Sequence, residues 1–376
     1  MRTFSRRRMI ATTASAALSM SACSGDVRSD GEGRPRSAFY GVRQSGVTSP
    51  AQSYVLLLSY DIAPGTTQSA ARRAVRDVFA RWTRLLGGEE SEHVPVGVGS
   101  VTAGTSRLSA TVAVGPRLPH RLGLRPPRLL RPLPAFAGEQ LRPGISDGDV
   151  LVQLCADDQW TCVGAASSLD RAAASVLTPR WRQHGFLPPT SPGEVPRNLF
   201  GFLDGTGNPV GEELNQHVYV SKGADAHGSY LIYRRIRMDV DAFGKLTAAQ
   251  QDRAIGRRRR DGVPLGGSRA SDAINLFAKT PDGQYVVPAD AHVRLAHPRL
   301  DGGAQMLRRG YSYAEDADDQ GLLFVAFMKD PALFVRVQER LATADALSRF
   351  TRHTASAVAF VLPGARPGLP LGASLW

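Results

Sequence analysis

One rhythm of apolar residues limits the folds open to this chain: strand, helix, strand, strand, helix, and then a partial repeat of the same order. Tyr54 to Tyr60 reads as a strand, and Thr67 to Leu86 as a helix that Gly87 and Gly88 stop. A strand near Arg107 to Val114 follows, then a loop with six prolines between Pro116 and Pro134. Asp149 to Cys155 is the next strand, and Ser168 to Leu177 the next helix. The second half places strands at Tyr230 to Asp239, Gly321 to Met328 and Ala355 to Leu362, with helices at Thr247 to Arg258 and Pro331 to Leu341. Antiparallel strands covered by helices form an α+β sandwich, so two ferredoxin-like halves are expected. A ligand cavity then belongs at their junction or in the second half.

The termini set the outer limits. Ser5 and Arg6 to Arg8 precede a weakly apolar run from Met9 to Ala22, too short and too rich in Ser, Thr and Ala to stay in a bilayer. Residues 1–22 therefore read as a twin-arginine export signal. Small residues before Cys23 and polar ones after it read as a lipidation site that would tether the protein to the outer face of a membrane. Residues 23–50 are rich in Gly, Ser, Arg and Asp and read as a flexible tether. The remainder divides into domains at 51–195 and 196–376.

Removing the first 22 residues takes away four arginines and no acid, lowering the net charge from +12 to +8. A positive field can steer anionic substrates, but no zinc-finger, helix-turn-helix or basic-aromatic pattern points to nucleic acid. The run Arg257 to Arg260 reads as a solvated helix end. Cys155 and Cys162 fit no metal spacing. Export would allow them to pair, while the strand around Cys155 would suit a buried thiol.

Three segments carry chemistry. In GFLDGTGNP, at 201–209, Asp204 is an acid among glycines, whose lack of Cβ lets the main chain turn tightly against a flat ligand. AHVRLAHPR, at 291–299, supplies two histidines, His292 and His297, and LRRGYSY, at 307–313, supplies Arg308 and Arg309. In this order, and followed by GLLFVAF, the segments resemble the dye-decolorising peroxidase family, particularly its secreted, deferrochelatase-type branch. The likeness covers residues 50–365 and includes GSYLIYRRIRMDVDAF at 228–243.

The resemblance implies a dimeric α+β barrel fold and one haem b per chain. It implies His292 as the axial ligand of the haem iron, Asp204 as the acid–base group for peroxide and Arg308 as the cation that stabilises the departing oxygen. It also implies that Gly205, Thr206, Gly207, His297, Pro298 and Arg299 line the haem, with Arg299 facing a propionate; Arg294 is a weaker candidate. In relatives a carboxylate before a C-terminal aromatic often bonds the proximal imidazole, but here Arg349 precedes Phe350. Asp345 or a main-chain carbonyl is left for that task.

The expected activity is reduction of hydrogen peroxide coupled to oxidation of a bulky organic donor such as a dye or phenol. Trp160, Trp181, Tyr311 and Tyr313 are candidate surface relays for electrons. The alternatives are a haem-handling lipoprotein that works with an iron-uptake system and a haem-binding lipoprotein without turnover. Self-association into a homo-oligomer is also expected.

Overall fold

The computed structural model describes residues 39–65, 67–89, 107–191 and 194–376. The export signal and Cys23 lie outside these residues. Strand β1, Tyr54–Ile62, is apolar from Tyr54 to Leu58 because both of its faces are buried there. Leu56, Leu58 and Tyr60 point to the helices, while Val55 and Leu57 point away from them. Helix α1, Gln68–Gly87, places Val75, Val78, Phe79 and Trp82 on the helix-facing side of the sheet at three- and four-residue spacing. Burial of each such side chain stabilises the fold by about 1.5–3 kcal/mol. The helix ends at Gly88, whose φ of 76° suits glycine and whose N–H returns to the Arg84 and Leu85 carbonyls.

After β2, Leu108–Val114, come the short helix α2, Arg117–Arg121, and β3, Val150–Ala156. Helix α3, Gln159–Ala173, and β4, Leu177–Phe186, complete the first half, with strands in the order β2-β3-β1-β4. The helix expected at Ser168 to Leu177 begins nine residues earlier, where Asp158 caps it by accepting from the Thr161 N–H at 2.8 Å. Its expected last residues form a turn at 174–176 that leads into the strand at Leu177. Ser175, with a φ of 68°, turns the chain into β4, whose buried Leu177, Trp181, Gln183 and Gly185 alternate with polar residues.

The second half contains α4, Glu213–His217; β5, Ser229–Met238; α5, Val240–Gly244; α6, Ala248–Ile255; and α7, His292–Leu295. Strands β6, Leu307–Arg308; β7, Tyr311–Ala314; and β8, Gln320–Met328, lead to α8, Ala332–Ala344, and β9, Thr351–Val361. β5 lies between β9 and β8, and β8 pairs in turn with β6 and β7, which repeats the ordering of the first half.

The halves join into one closed ring of antiparallel strands. Two short joins close it: β2 with β9 through Ala113↔Val361 and Val114↔Phe360, and β4 with β7 through Phe186↔Ser312. Helices cover the outside of the ring, and a second apolar core fills the inside. Cys155 belongs to the inner core and Cys162 to the outer, so the sheet separates the two free thiols. Burial pushes the Cys162 thiol up to about 12.

Two buried arginines lie on β5. Arg235 donates to Gln183 and Thr354, pairs with Asp319 at 2.8 Å and lies 3.9 Å from the Tyr313 ring centroid. Arg234 pairs with Glu139 and donates to His353 Nδ1 at 3.1 Å and Ser356 at 3.0 Å. The folded part also begins before residue 50, where the tether was expected to end. Gln44 is buried, with its amide bonded to the Val112 and Leu362 carbonyls, and Val47 is buried in the inner core.

Candidate functional site

Residues 196–204 form a small hairpin that ends in the acid. Asn198 Oδ1 accepts the Phe200 and Phe202 N–H groups, Gly201 turns at a φ of 83°, and the Asp204 N–H donates to the Pro196 carbonyl at 2.9 Å. The two phenylalanines anchor this hairpin. Phe200 stacks on Phe243 with centroids 4.1 Å apart, and Phe202 meets the same ring edge-on, in an apolar cluster with Met238, Ile255 and Leu347. After Asp204, Gly205 takes a φ of 95°.

Asn208 connects this loop to the arginine strand. Its side chain donates to the Arg308 carbonyl at 2.8 Å and accepts the Arg308 N–H at 3.0 Å. Glycine at 310 leaves room for the acid, since a Cβ there would lie 3.1 Å from Asp204 Oδ2. A Cβ on Gly207 would lie 3.7 Å from Arg308 Nη2. Asp204, Gly205 and Arg308 thus share the wall of a cavity of about 390 Å³. Arg308 Nε is buried without a hydrogen-bond partner among the described residues.

His292 opens α7, a single helical turn. Its Nδ1 lies 2.7 Å from Asp345 Oδ2. An ionised carboxylate can only accept, so Nδ1 carries the hydrogen and Nε2 keeps its lone pair. The other Asp345 oxygen accepts the Leu347 N–H at 3.0 Å, and the Ala346 N–H donates to the Asp290 carbonyl at 2.9 Å, which ties the acid's turn to the residues before the histidine. The His292 side chain retains 38 % of its surface, against 6 % for Asp345. Burial disfavours charge on the imidazole, but the Asp345 carboxylate outweighs it and raises the pKa. Arg308 and Asp204 lie close enough for their charges to act on the same ring.

His297 is held differently. Its Nδ1 accepts the Arg299 N–H at 3.2 Å and caps the turn Pro298–Asp301. Burial, followed by the charges of Arg299 and Arg257, lowers its pKa. Arg299 is exposed, with its guanidinium 5.1 Å from the Phe277 ring centroid, and Arg294 lies 4.1 Å from that of Tyr285 while donating to the Val287 carbonyl. Thr206 and Gly207 are exposed. His292, His297, Pro298 and Arg299 lie outside the lining of the cavity that holds Asp204 and Arg308.

Two expectations need correction. Arg257 is not part of a solvated helix end: Gly256, with a φ of 95°, stops α6, and Arg257 turns inward to donate to the Gly262 and Ala270 carbonyls. Burial, then the neighbouring Arg308 charge, lowers its pKa. A half-buried cation beside Arg308 and His297 suits an anionic ligand, but nothing in the run of four arginines distinguishes the first. Of the proposed surface aromatics, Trp160 is exposed, whereas Trp181, Tyr311 and Tyr313 are buried. Trp181 stacks on Tyr233 inside the ring with centroids 5.0 Å apart.

Comparison with known proteins identifies the family. Residues 44–187 match the family model described as Dyp-type peroxidase, N-terminal, and residues 195–366 the model described as Dyp-type peroxidase, C-terminal. A dye-decolorizing peroxidase of Thermobifida fusca is 38% identical over 363 residues, covering 88% of this chain and 83% of that protein. A deferrochelatase of Yersinia pseudotuberculosis is 34% identical over 357 residues, covering 87% and 81%. The crystallised ferric DtpA of Streptomyces lividans is 37% identical and superposes with a TM-score of 0.83, covering 90% of this chain and 96% of its own.

Proposed function

Because this chain belongs to the Dyp-type peroxidase family, we propose a division of labour among its own residues for the reaction of that family, the haem-dependent reduction of hydrogen peroxide with oxidation of an organic donor. His292 would hold the iron through Nε2. The bond from Nδ1 to Asp345 carries this reading, because it leaves Nε2 its lone pair and orients the ring as a metal-bound imidazole requires. The surroundings fit haem as well: His292 keeps accessible surface, and Arg257, half-buried beside His297, offers a cation for a propionate.

Haem, when bound, supplies the iron at which peroxide is reduced and the oxidising power passed to the donor. Asp204 accepts the first proton of peroxide and delivers it to the outer oxygen as the O–O bond opens. Arg308, in the wall of the same cavity, stabilises the charge on that departing oxygen. Such a pair supports turnover rather than haem storage alone.

The test is optical. Protein supplied with hemin should show a Soret band that His292→Ala abolishes, whereas His297→Ala should retain it. An unchanged band in His292→Ala would remove the ligand assignment. We further propose, from Arg6 to Arg8 and Cys23, that the chain is exported and lipidated. Mass spectrometry of the mature N-terminus should find acyl chains on Cys23, and an unmodified Met1 would exclude both steps.

A further inference from the structure

Helix α1 carries a charge pattern that neither its packing nor the peroxidase reading uses. Between Gln68 and Gly87 it holds five arginines and one acid, Asp77. Ala71, Val75, Val78, Phe79 and Trp82 turn one side of the helix to the sheet, so Arg73, Arg76 and Arg84 share the side turned away from it. Arg73 and Arg76 are exposed, and neither pairs with a carboxylate among the described residues. The long helix of the second half differs, since Arg336 and Arg340 of α8 both close on Asp301.

The chain enters the fold at the C-terminal end of α1. Tyr40 lies against Gly87, and its hydroxyl donates to Glu89 just past the last turn. Two exposed apolar side chains stand at the same end: Val42, 43% exposed, and Leu369, 50% exposed. The Gly41 N–H donates to the Ala365 carbonyl and the Gly364 N–H to the Val42 carbonyl, which holds their segments together, and the Leu371 N–H donates to Thr83 Oγ1 on α1 at 3.0 Å. Phe39 lies sixteen residues after Cys23, a reach of at most about 55 Å. An anchor at Cys23 therefore keeps this end of α1 close to the membrane that holds it.

We propose that the arginine face of α1, with Val42 and Leu369 beside it, is a docking surface for anionic phospholipid. Exposed guanidiniums gain from the negative potential over such lipid, while the two apolar side chains enter the boundary between headgroups and acyl chains. The anchor proposed at Cys23 supplies nearness, and the arginines supply orientation. Neither haem nor peroxide enters into this docking.

Cosedimentation of the hemin-loaded full chain with vesicles of phosphatidylglycerol and of phosphatidylcholine tests the surface. Every sample carries Cys23→Ser, so that no acyl chain contributes, and the same N-terminus, so that residues before Phe39 contribute equally. Phosphatidylglycerol should hold the chain about ten-fold more tightly or better, with the preference lost at about 1 M salt. Arg73→Gln/Arg76→Gln should weaken that binding by about thirty-fold. Arg253→Gln/Arg260→Gln, which removes the same charge from exposed positions on and after α6, should change it by less than about three-fold. Equal binding to the two lipids, or equal losses in the two double variants, overturns the proposal. So does tighter binding to duplex DNA that is lost with Arg73 and Arg76, which would assign the face to nucleic acid. If Arg73→Gln/Arg76→Gln does not fold, the two single variants, each expected to lose about five-fold, decide. Haem loading is followed by its Soret band and docking by the pelleted fraction, so either reading can fail without the other.

Discussion

Asp204 is placed by residues that do no chemistry themselves. Phe200 and Phe202 anchor its hairpin in an apolar cluster, Asn208 fastens the following loop to Arg308, and the absence of a Cβ at Gly310 gives the carboxylate its space. Asp204→Asn keeps that shape and removes the proton acceptor. The variant should take up hemin normally, yet its peroxide-dependent change in the Soret band should slow by roughly a hundred- to ten-thousand-fold in stopped flow. A rate equal to that of the unaltered protein would assign the proton transfer to another group. His292, Asp204 and Arg308 could be singled out in the sequence only through the family resemblance of their three segments taken together, since an acid among glycines is by itself a common turn. The Asp345 contact was only one of two possibilities, because acid and histidine are 53 residues apart and only folding brings them together. Arg257 was misjudged because it has an arginine beside it, and burial alone sets it apart.

Among the elements, β1 and α1 could be read nearly to the residue, since one has an unbroken apolar run and the other a regular apolar stripe ending in glycine. β4 could not. Its exposed face carries Arg180, Arg182 and His184, and Pro179 interrupts the pattern, so its alternation reads as loop. β9 extends four residues further toward the N-terminus than its apolar run, through the polar stretch from Thr351 that includes His353. Burial, and then the charge of Arg234, push the His353 pKa down to about 3. An unfolded histidine takes its proton near pH 6.5, so this side chain favours the folded state above about 6.5 and loses that contribution as pH falls toward 3. Denaturant melts at pH 7 and pH 4 should therefore show the unaltered protein losing about 1–3 kcal/mol more on acidification than His353→Gln. Equal losses would mean that His353 titrates normally.

At the scale of the molecule, the repeated rhythm of strands and helices announced two similar halves, but not that they share one closed ring. The joins were invisible in the sequence because β2–β9 and β4–β7 rest on three residue pairs in all. Within each half, the long ladders connect strands of that half alone. The N-terminal ladder can therefore form while the rest of the polypeptide is still leaving the ribosome. His292, Asp204 and Arg308 all arrive with the later portion, and the bond from Arg309 to Ser49 spans the two. The pocket beside Asp204 is thus completed only with the second half, and a nascent chain halted at the end of β4 would own a few residues of its wall and none of its chemistry.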